Sequence, residues 1–201
     1  IYTQNRDGVK TISDCILTGG HGYTLHAYGS SRADVDNYLV TGNVCYKAGP
    51  FLIGGGKPSH NIKVLTNYLS GVSMRLGYNA PQNEDCEIRG NTIVNGDLTI
   101  HNFRDAVKED NLVLPAGAAK PGGAKIILRP NRYDPNRANL IVFNWDRLPT
   151  VQIHPGTFLA KGDKFRVLDP RALFGQPIIE GRFDGNAMPL PVKEEFGAFV
   201  L

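Results

Sequence analysis

The sequence predicts an all-β protein in which a solenoid of short parallel strands is followed by a smaller antiparallel unit. One short phrase recurs at a period near two dozen residues, which is the signature of a solenoid. The strand-like runs are short and β-branched, and no ten-residue stretch shows helical periodicity. The 23 Gly and 13 Pro among 201 residues fit a turn-rich β chain and argue against a helical one.

The recurring phrase is an apolar residue, two further residues, an Asn-like residue and the start of a strand. Its Asn-like positions are separated by steps of 28, 24, 24 and 19 residues, and they are Cys15, Asn43, Asn67, Asn91 and Asp110. The two departures from Asn fall in the first and last repeats, which are often atypical in solenoids. The repeats therefore span about five coils.

Asn suits a turn between two strands of a coil. Its backbone tolerates the left-handed conformation, and its side chain can hydrogen-bond to neighbouring backbone groups. In a stack of coils the same turn recurs one strand spacing away, at about 4.8 Å. We therefore expect the Asn side chains to bond to each other along the axis.

A second strand precedes each phrase, in the runs 1–4, 24–28, 51–54, 72–76 and 97–101. Strand alternation places these residues on two faces. The inward face is apolar and contains Leu25, Ala27, Val72, Met74, Leu76, Leu98 and Ile100. The outward face is polar and contains Tyr2, Gln4, His26, Tyr28, Ser73, Arg75, Thr99 and His101. In the middle repeat this face meets Gly54, Gly55 and Gly56, which have no side chains. The sequence therefore predicts an open groove whose floor is the glycine backbone and whose two sides are polar side chains.

Composition excludes several other classes of protein. The formal net charge of +3 is too small to indicate nucleic acid or an anionic membrane as a partner. No run of 18 apolar residues predicts a membrane span. Three cysteines at unequal repeat positions favour buried free thiols over a disulfide framework, and no Cys or His spacing indicates zinc. The chain opens on Ile1 without Met and inside a repeat, so we expect a processed or truncated product.

The repeats predict a first domain over residues 1–117, a linker over 118–123 and a second domain over 124–201. The linker contains only Ala, Lys, Pro and Gly, with no large apolar side chain. Beyond it, turn residues separate seven candidate strands, which favours a small antiparallel β-sandwich. These strands are 124–128, 138–145, 150–153, 164–168, 177–183, 187–192 and 196–201.

Residues 1–117 resemble the right-handed parallel β-helix proteins of the pectate-lyase-like group in their coil period and Asn phrases. Residues 124–201, through the runs 138–145 and 159–167, are similar to the β-sandwich modules that end many glycoside-acting enzymes. The resemblance implies a polysaccharide partner, an extracellular or periplasmic setting, and lyase or glycoside hydrolase chemistry. It also implies calcium as a usable ion, although no residue of the sequence requires a cofactor. Such proteins carry an N-terminal cap, so a partner chain or a second copy is expected over the coil end at Ile1.

The outward face supplies the candidate catalytic residues His26, Tyr28, Arg75 and His101. Elimination from a uronate polymer needs a cation on the sugar carboxylate, which Arg75 can supply through a bidentate pair. It also needs a base for the C5 proton, for which His26, His101 and Tyr28 are candidates, and Tyr can protonate the leaving oxygen. The candidate substrate-binding residues are Gln4, Gly54, Gly55 and Tyr78. The sequence predicts no metal ligand.

Hydrolysis is the alternative reaction, and it needs two carboxylates across the scissile bond. The outward strand face contains none, whereas Asp34, Asp36, Glu84 and Asp85 are predicted on loops that can reach over it. Loop acids of this kind are more often solvated, or hold calcium together with nearby carbonyls. Because fold alone does not confer function, a non-catalytic carbohydrate-binding or surface-attachment module and a structural subunit that stacks through its open coil end remain alternatives.

Overall fold

The computed structural model describes residues 1–20 and 22–201, and His21 lies outside the described residues. The chain divides into two compact units, Ile1–Ala119 and Lys120–Leu201. Each unit consists of β-strands and is described by itself below.

The first unit is a parallel β-solenoid with three strands in each of its five coils. The first sheet consists of β1 (Tyr2–Thr3), β4 (Leu25–Ala27), β7 (Phe51–Ile53), β10 (Met74–Leu76) and β13 (Leu98–Ile100). The second consists of β2 (Lys10–Ser13), β5 (Tyr38–Thr41), β8 (Ile62–Leu65), β11 (Asn83–Arg89) and β14 (Phe103–Glu109). The third consists of β3 (Ile16–Thr18), β6 (Val44–Tyr46), β9 (Tyr68–Ser70), β12 (Thr92–Val94) and β15 (Leu112–Leu114).

The Asn residues of the recurring phrase form a hydrogen-bonded ladder between the second and third sheets. The side-chain amide of Asn43 donates to Oδ1 of Asn67, Asn67 donates to Asn91, and Asn91 donates to Asn111, at 2.8–3.0 Å. The ladder expected from the sequence is therefore present. Its last member is Asn111, so the assignment of that position to Asp110 is wrong.

The left-handed turn residue precedes the ladder Asn at each coil. These turn residues have φ between 52° and 67°, and they are Asp14, Gly42, Thr66, Gly90 and Asp110. Asp110 therefore occupies the turn position, as Gly90 does one coil earlier. The ladder Asn therefore does not adopt the left-handed backbone conformation. Its side chain points into the stack, where three of the four ladder amides are completely buried.

Inward-facing side chains stack in register to form the core of the solenoid. In the first sheet Leu25 lies beside Phe51, Phe51 beside Met74, and Met74 beside Leu98. The first three are completely buried, and Leu98 of the last coil is half-buried. Burial of a Leu, Phe or Met side chain contributes about 2 kcal/mol, so the stacked rows supply much of the driving force for winding the coils. The inward face predicted from strand alternation is confirmed.

Both end coils place a lysine where the central coils have an apolar residue. Lys10 pairs in register with Tyr38, and Lys108 pairs with Ile88. Lys10 Nζ donates to Thr3 Oγ1 at 3.0 Å and to the Gln4 carbonyl at 2.6 Å. Inward-pointing charges at the outermost strands discourage edge-to-edge pairing of a sheet.

The second unit contains seven strands and one turn of 3₁₀ helix over Gly156–Phe158. The strands are β16 (Ala124–Pro130), β17 (Ala138–Asn144), β18 (Thr150–Ile153), β19 (Lys164–Val167), β20 (Ile179–Arg182), β21 (Met188–Pro191) and β22 (Phe196–Val200). All seven predicted strands are present, with ends that differ by at most two residues. The pairings are antiparallel, in the orders β16-β17-β22, β18-β21 and β19-β20.

The three antiparallel sheets of the second unit share one apolar core. All residues of the central strand β17 are buried, and Leu140 and Val142 pack in the same cluster as Val151, Val167 and Leu190 from the two smaller sheets. Because each small sheet has only two strands, it depends on this shared core for its stability. The all-β class and the order of solenoid followed by antiparallel elements are confirmed.

Candidate functional site

The outward face of the first sheet carries two rows of side chains in register across the five coils. One row is Tyr2, His26, Leu52, Arg75 and Thr99. The neighbouring row, which continues the same register one position past each strand, is Gln4, Tyr28, Gly54, Gly77 and His101. The parallel pairing therefore places His26 and Arg75 on one face, two strand spacings or about 10 Å apart.

A continuous set of aromatic contacts crosses this face. The imidazole of His26 is stacked between the rings of Tyr23 and Tyr28, with centroid distances of 4.3 Å and 4.9 Å. Two further rings extend this set in edge-to-face contacts. The ring centroid of Tyr2 lies 5.4 Å from that of His26, and the ring centroid of Tyr78 lies 5.7 Å from that of Tyr28. We call these five residues the aromatic strip. Tyr2 and Tyr23 are its most exposed members, at 63% and 42%.

Arg75 lies at the end of the aromatic strip. Its guanidinium carbon is 4.9 Å from the centre of the Tyr78 ring, and its Nε donates a hydrogen bond to the Gly77 carbonyl at 3.2 Å. A guanidinium has five N–H donors, and stacking on an aromatic ring restricts its orientation. No carboxylate of the described residues forms an ion pair with Arg75, so the strip ends in a half-exposed and oriented cation.

Gln4 holds the opposite end of the strip. Its side-chain amide donates to the hydroxyl of Tyr2 at 3.0 Å and to the backbone carbonyl of Tyr28 at 3.1 Å. The Tyr2 hydroxyl donates to the same carbonyl at 3.2 Å. Gln4 is thus a neighbour of the aromatic residues and orients Tyr2.

The glycines do not form the open floor that the sequence predicts. Gly54 and Gly55 are buried, and Leu52, which lies between His26 and Arg75 in the first row, is only 1% exposed. A Cβ on Gly54 would lie 2.8 Å from Cα of Gly77, and one on Gly55 would lie 2.0 Å from the Gly29 carbonyl oxygen. Close approach of the backbone explains these glycines, and the predicted groove is a covered surface with aromatic side chains above it.

His101 lies apart from the aromatic strip. It follows β13 at the far end of the second row, where Gly54 and Gly77 separate it from Tyr28. Three strand spacings between Tyr28 and His101 amount to about 14 Å. The structure therefore brings His26, Tyr28, Tyr78 and Arg75 together, and it places His101 beside Arg75 on the next coil.

The environment of His26 favours its neutral form. Burial of the imidazole between two tyrosine rings lowers the pKa of His26 below its usual value of 6.5. The neutral imidazole therefore predominates at pH 7. This is the protonation state in which a histidine accepts a proton.

The acidic residues suggested for hydrolysis are held elsewhere. Lys57 Nζ lies 2.9 Å from Oδ1 of Asp34, and His60 Nδ1 lies 3.2 Å from Oδ1 of Asp36. Asp36 is buried, and burial raises the pKa of its carboxyl. Glu84 and Asp85 belong to strand β11 of the second sheet, so their predicted placement on a loop is wrong.

Among residues 1–20 and 22–201, no set of three or more His, Cys, Asp or Glu side chains is arranged to hold a metal ion. The thiols of Cys45 and Cys86 are buried, and burial raises the pKa of each to about 12. As expected from their spacing, the cysteines are free thiols.

Tyr2, Tyr23 and Leu52 of this surface were not among the predicted site residues, although Tyr2 was predicted to face outward. Tyr23 precedes β4 and reaches His26 from a turn, and Leu52 fills the middle of the first row. Strand alternation identifies Leu52 as outward, because it is the residue in register with both His26 and Arg75. For Tyr23 the only signal is its position three residues before His26.

The described residues contain no helix of the length and apolar character that crossing a membrane requires. No protein-family model, curated protein or solved structure matches this chain.

Proposed function

We propose that this protein binds a uronate-containing polysaccharide on the aromatic strip and cleaves it by β-elimination outside the cytoplasm. The observation that carries the proposal is the contact chain from Tyr23 through His26, Tyr28 and Tyr78 to Arg75. This chain joins stacking surfaces, a neutral imidazole and a cation without a carboxylate partner on one face of the solenoid. A β-solenoid is also a fold compatible with carbohydrate-active proteins.

Binding uses the apolar ring face and the carboxylate of an acidic sugar. The apolar faces and C–H groups of the ring pack against exposed aromatic side chains, for which Tyr2 and Tyr23 are available. The carboxylate pairs with the guanidinium of Arg75, whose planar fork matches it in a bidentate contact. The stacking of Arg75 on Tyr78 reduces the entropy lost when that contact forms.

The elimination step assigns a separate task to each polar group. Arg75 neutralises the uronate carboxylate and so stabilises the negative charge that develops when C5 loses its proton. Neutral His26 accepts that proton, the C5–H electron pair forms the C4–C5 double bond, and the bond from C4 to the glycosidic oxygen breaks. The Tyr28 hydroxyl donates a proton to the leaving oxygen. His101, on the other side of Arg75, is the second candidate for the base.

Elimination is favoured over hydrolysis by the composition of the two rows. Neither row contains a carboxylate, whereas glycoside hydrolysis uses a pair about 5 to 10 Å apart. Asp34 and Asp36 are held by Lys57 and His60, so they are not free to act as that pair.

Non-catalytic binding is the second candidate, and a specific observation favours it. Tyr23 and Tyr28 both stack on the His26 imidazole, which restricts movement of the ring towards a substrate. A protein that only binds acidic polysaccharide needs the same tyrosines and the same arginine, but it does not need a mobile base.

The test is incubation of the protein with a panel of acidic and neutral polysaccharides, with detection of both unsaturated products and reducing ends. The proposal predicts ultraviolet absorbance from unsaturated uronate on an acidic polymer alone. Retardation in an affinity gel without products would instead identify the binding module. Reducing ends without new absorbance would indicate hydrolysis. A parallel incubation with a chelator determines whether calcium takes part.

A further inference from the structure

A cleft of about 720 Å³ lies within the second unit. Its lining includes residues of the strand pair β19–β20 together with Arg137 and Phe158. The cleft has both charged and apolar surfaces. Its volume falls in the range of small-ligand sites, which is about 300–1,000 Å³.

Basic side chains dominate the charged surface of the cleft. Four cations line it, Arg137, Lys164, Arg166 and Arg182, against two anions, Asp134 and Glu180. The side chains therefore contribute a net charge of +2. None of the four cations forms an ion pair with a carboxylate in the described part of the chain, although Arg182 donates from Nη1 to the Gly162 carbonyl at 3.0 Å.

The register of β19 and β20 brings two of these cations together. Lys164 is directly opposite Arg182 in the antiparallel pair, while Arg166 is opposite Glu180. Like charges at directly opposite positions destabilise a sheet, because the side chains of such a pair are about 5 Å apart. A bound anion would reduce that repulsion, so the Lys164–Arg182 pair favours binding of an anion to the strand pair β19–β20.

Aromatic side chains supply the apolar surface of the cleft. Phe158 and Phe165 are both half-buried and both line it. Phe165 is opposite Gly181, and a Cβ at that glycine would be 3.7 Å from the Phe165 ring, so the ring lies over a position without a side chain. Strand alternation places Phe165 on the face of β19 opposite to Lys164 and Arg166, where it packs on the core, so Phe158 is the aromatic ring available beside the cations.

We propose that this cleft is a second carbohydrate-binding site, which takes acidic sugar units through Arg137, Lys164, Arg166 and Arg182 and stacks a sugar ring on Phe158. The choice of an acidic sugar as the anion rests on the proposed function, because the same polymer then meets both units. Carboxylates pair with the cations, and the apolar face of a sugar ring covers Phe158.

The experiment measures binding of oligogalacturonate to the full chain by calorimetry, with a neutral galactan oligomer for comparison. The measurement is made in an Arg75→Ala background, in which the carboxylate contact of the aromatic strip is absent. Into this background we introduce Lys164→Gln together with Arg166→Gln, both on exposed side chains. The matched control is Lys161→Gln together with Lys193→Gln, which removes the same charge from exposed positions of the same unit outside the cleft.

We expect residual binding of oligogalacturonate by Arg75→Ala, weakened about tenfold or more by the Lys164 and Arg166 changes and little by the control pair. Raised salt should weaken it as well. Equal affinity of the cleft variant and the control would overturn the proposal, as would equal binding of the neutral oligomer. Failure of the proposed lyase function has a different outcome, since the panel then yields no product while this binding persists.

Discussion

The side-chain amide of Asn67 donates a hydrogen bond to Oδ1 of Asn91 at 3.0 Å, and both side chains are completely buried. Oδ1 of Asn67 in turn accepts from the backbone and the side-chain amide of Asn43, each at 3.0 Å. The same side chain also donates to the Val40 carbonyl at 3.0 Å. One amide therefore satisfies buried groups on both neighbouring coils, which makes the ladder a structural element of the solenoid.

Asn67→Ala should destabilise the solenoid strongly, because it leaves the buried N–H groups of Asn43 without their acceptor. We expect the free energy of unfolding of the first unit to fall by about 3 kcal/mol. Urea unfolding monitored by circular dichroism measures the change. Asn111→Ala at the half-buried end of the ladder is the matched variant, with an expected loss of about 1 kcal/mol. Equal effects at the two positions would contradict a role for burial.

Comparison of Gly77→Ala with Gly71→Ala separates the cost of a steric clash from the cost of a left-handed backbone. Gly77 has φ +80°, and a Cβ there would lie 2.2 Å from the His101 carbonyl oxygen. Gly71 has a similar φ of +67°, but no atom lies within 4 Å of its Cβ position. Gly71→Ala should therefore cost about 1 kcal/mol from the left-handed backbone alone. Gly77→Ala should cost at least about 3 kcal/mol, because the next coil must also shift. Thermal unfolding of both variants tests the difference, and similar melting temperatures would refute it.

Arg75→Ala should abolish most cleavage of a uronate polymer while the fold is retained. Removal of a group that stabilises transition-state charge reduces turnover by about 10² to 10³-fold. Arg75→Lys should recover only part of the activity, because an ammonium cannot form the bidentate contact or stack on Tyr78 in the same way. The rate of absorbance increase measures both variants. The control is Lys63→Ala on the second sheet, which should retain full activity; a wild-type rate for Arg75→Ala would exclude the assigned role.

The pH dependence of cleavage should report the neutral form of His26. Burial lowers the pKa of His26 in the folded protein, so the rate should rise with pH through a midpoint below the usual 6.5 and then level off. For the same reason, protonation of His26 disfavours the folded state as pH falls below 6.5, with a small effect on stability because the imidazole is only partly buried.

His26→Gln should remove both the activity and this acidic limb, whereas His154→Gln in the second unit should leave them unchanged. Initial rates across a pH series at constant ionic strength provide the measurement. If His26→Gln keeps substantial activity and the acidic limb, the role of base belongs to His101. In that case His101→Gln should remove both the activity and the acidic limb.

Local sequence pattern was sufficient for the coils and for most of the strands. An inward position in the central coils of a solenoid is apolar, so Leu25 and Met74 could be assigned from alternation alone. The same reasoning did not resolve the last turn, because Asp110 and Asn111 both suit a turn chemically. Only the pairing of Thr92 with Leu112 shows that Asn111 is the ladder residue.

The candidate site depended on the tertiary structure to a greater extent. The sequence by itself determined that His26, Tyr28 and Arg75 face outward, since a strand has a strict two-residue period. It did not determine that Tyr28 and Tyr78 come together, that Leu52 is covered, or that Tyr23 stacks on His26. Those relations depend on the path of the turns between strands and on side-chain rotamers, which are selected by packing between coils and leave no periodic signal in the chain.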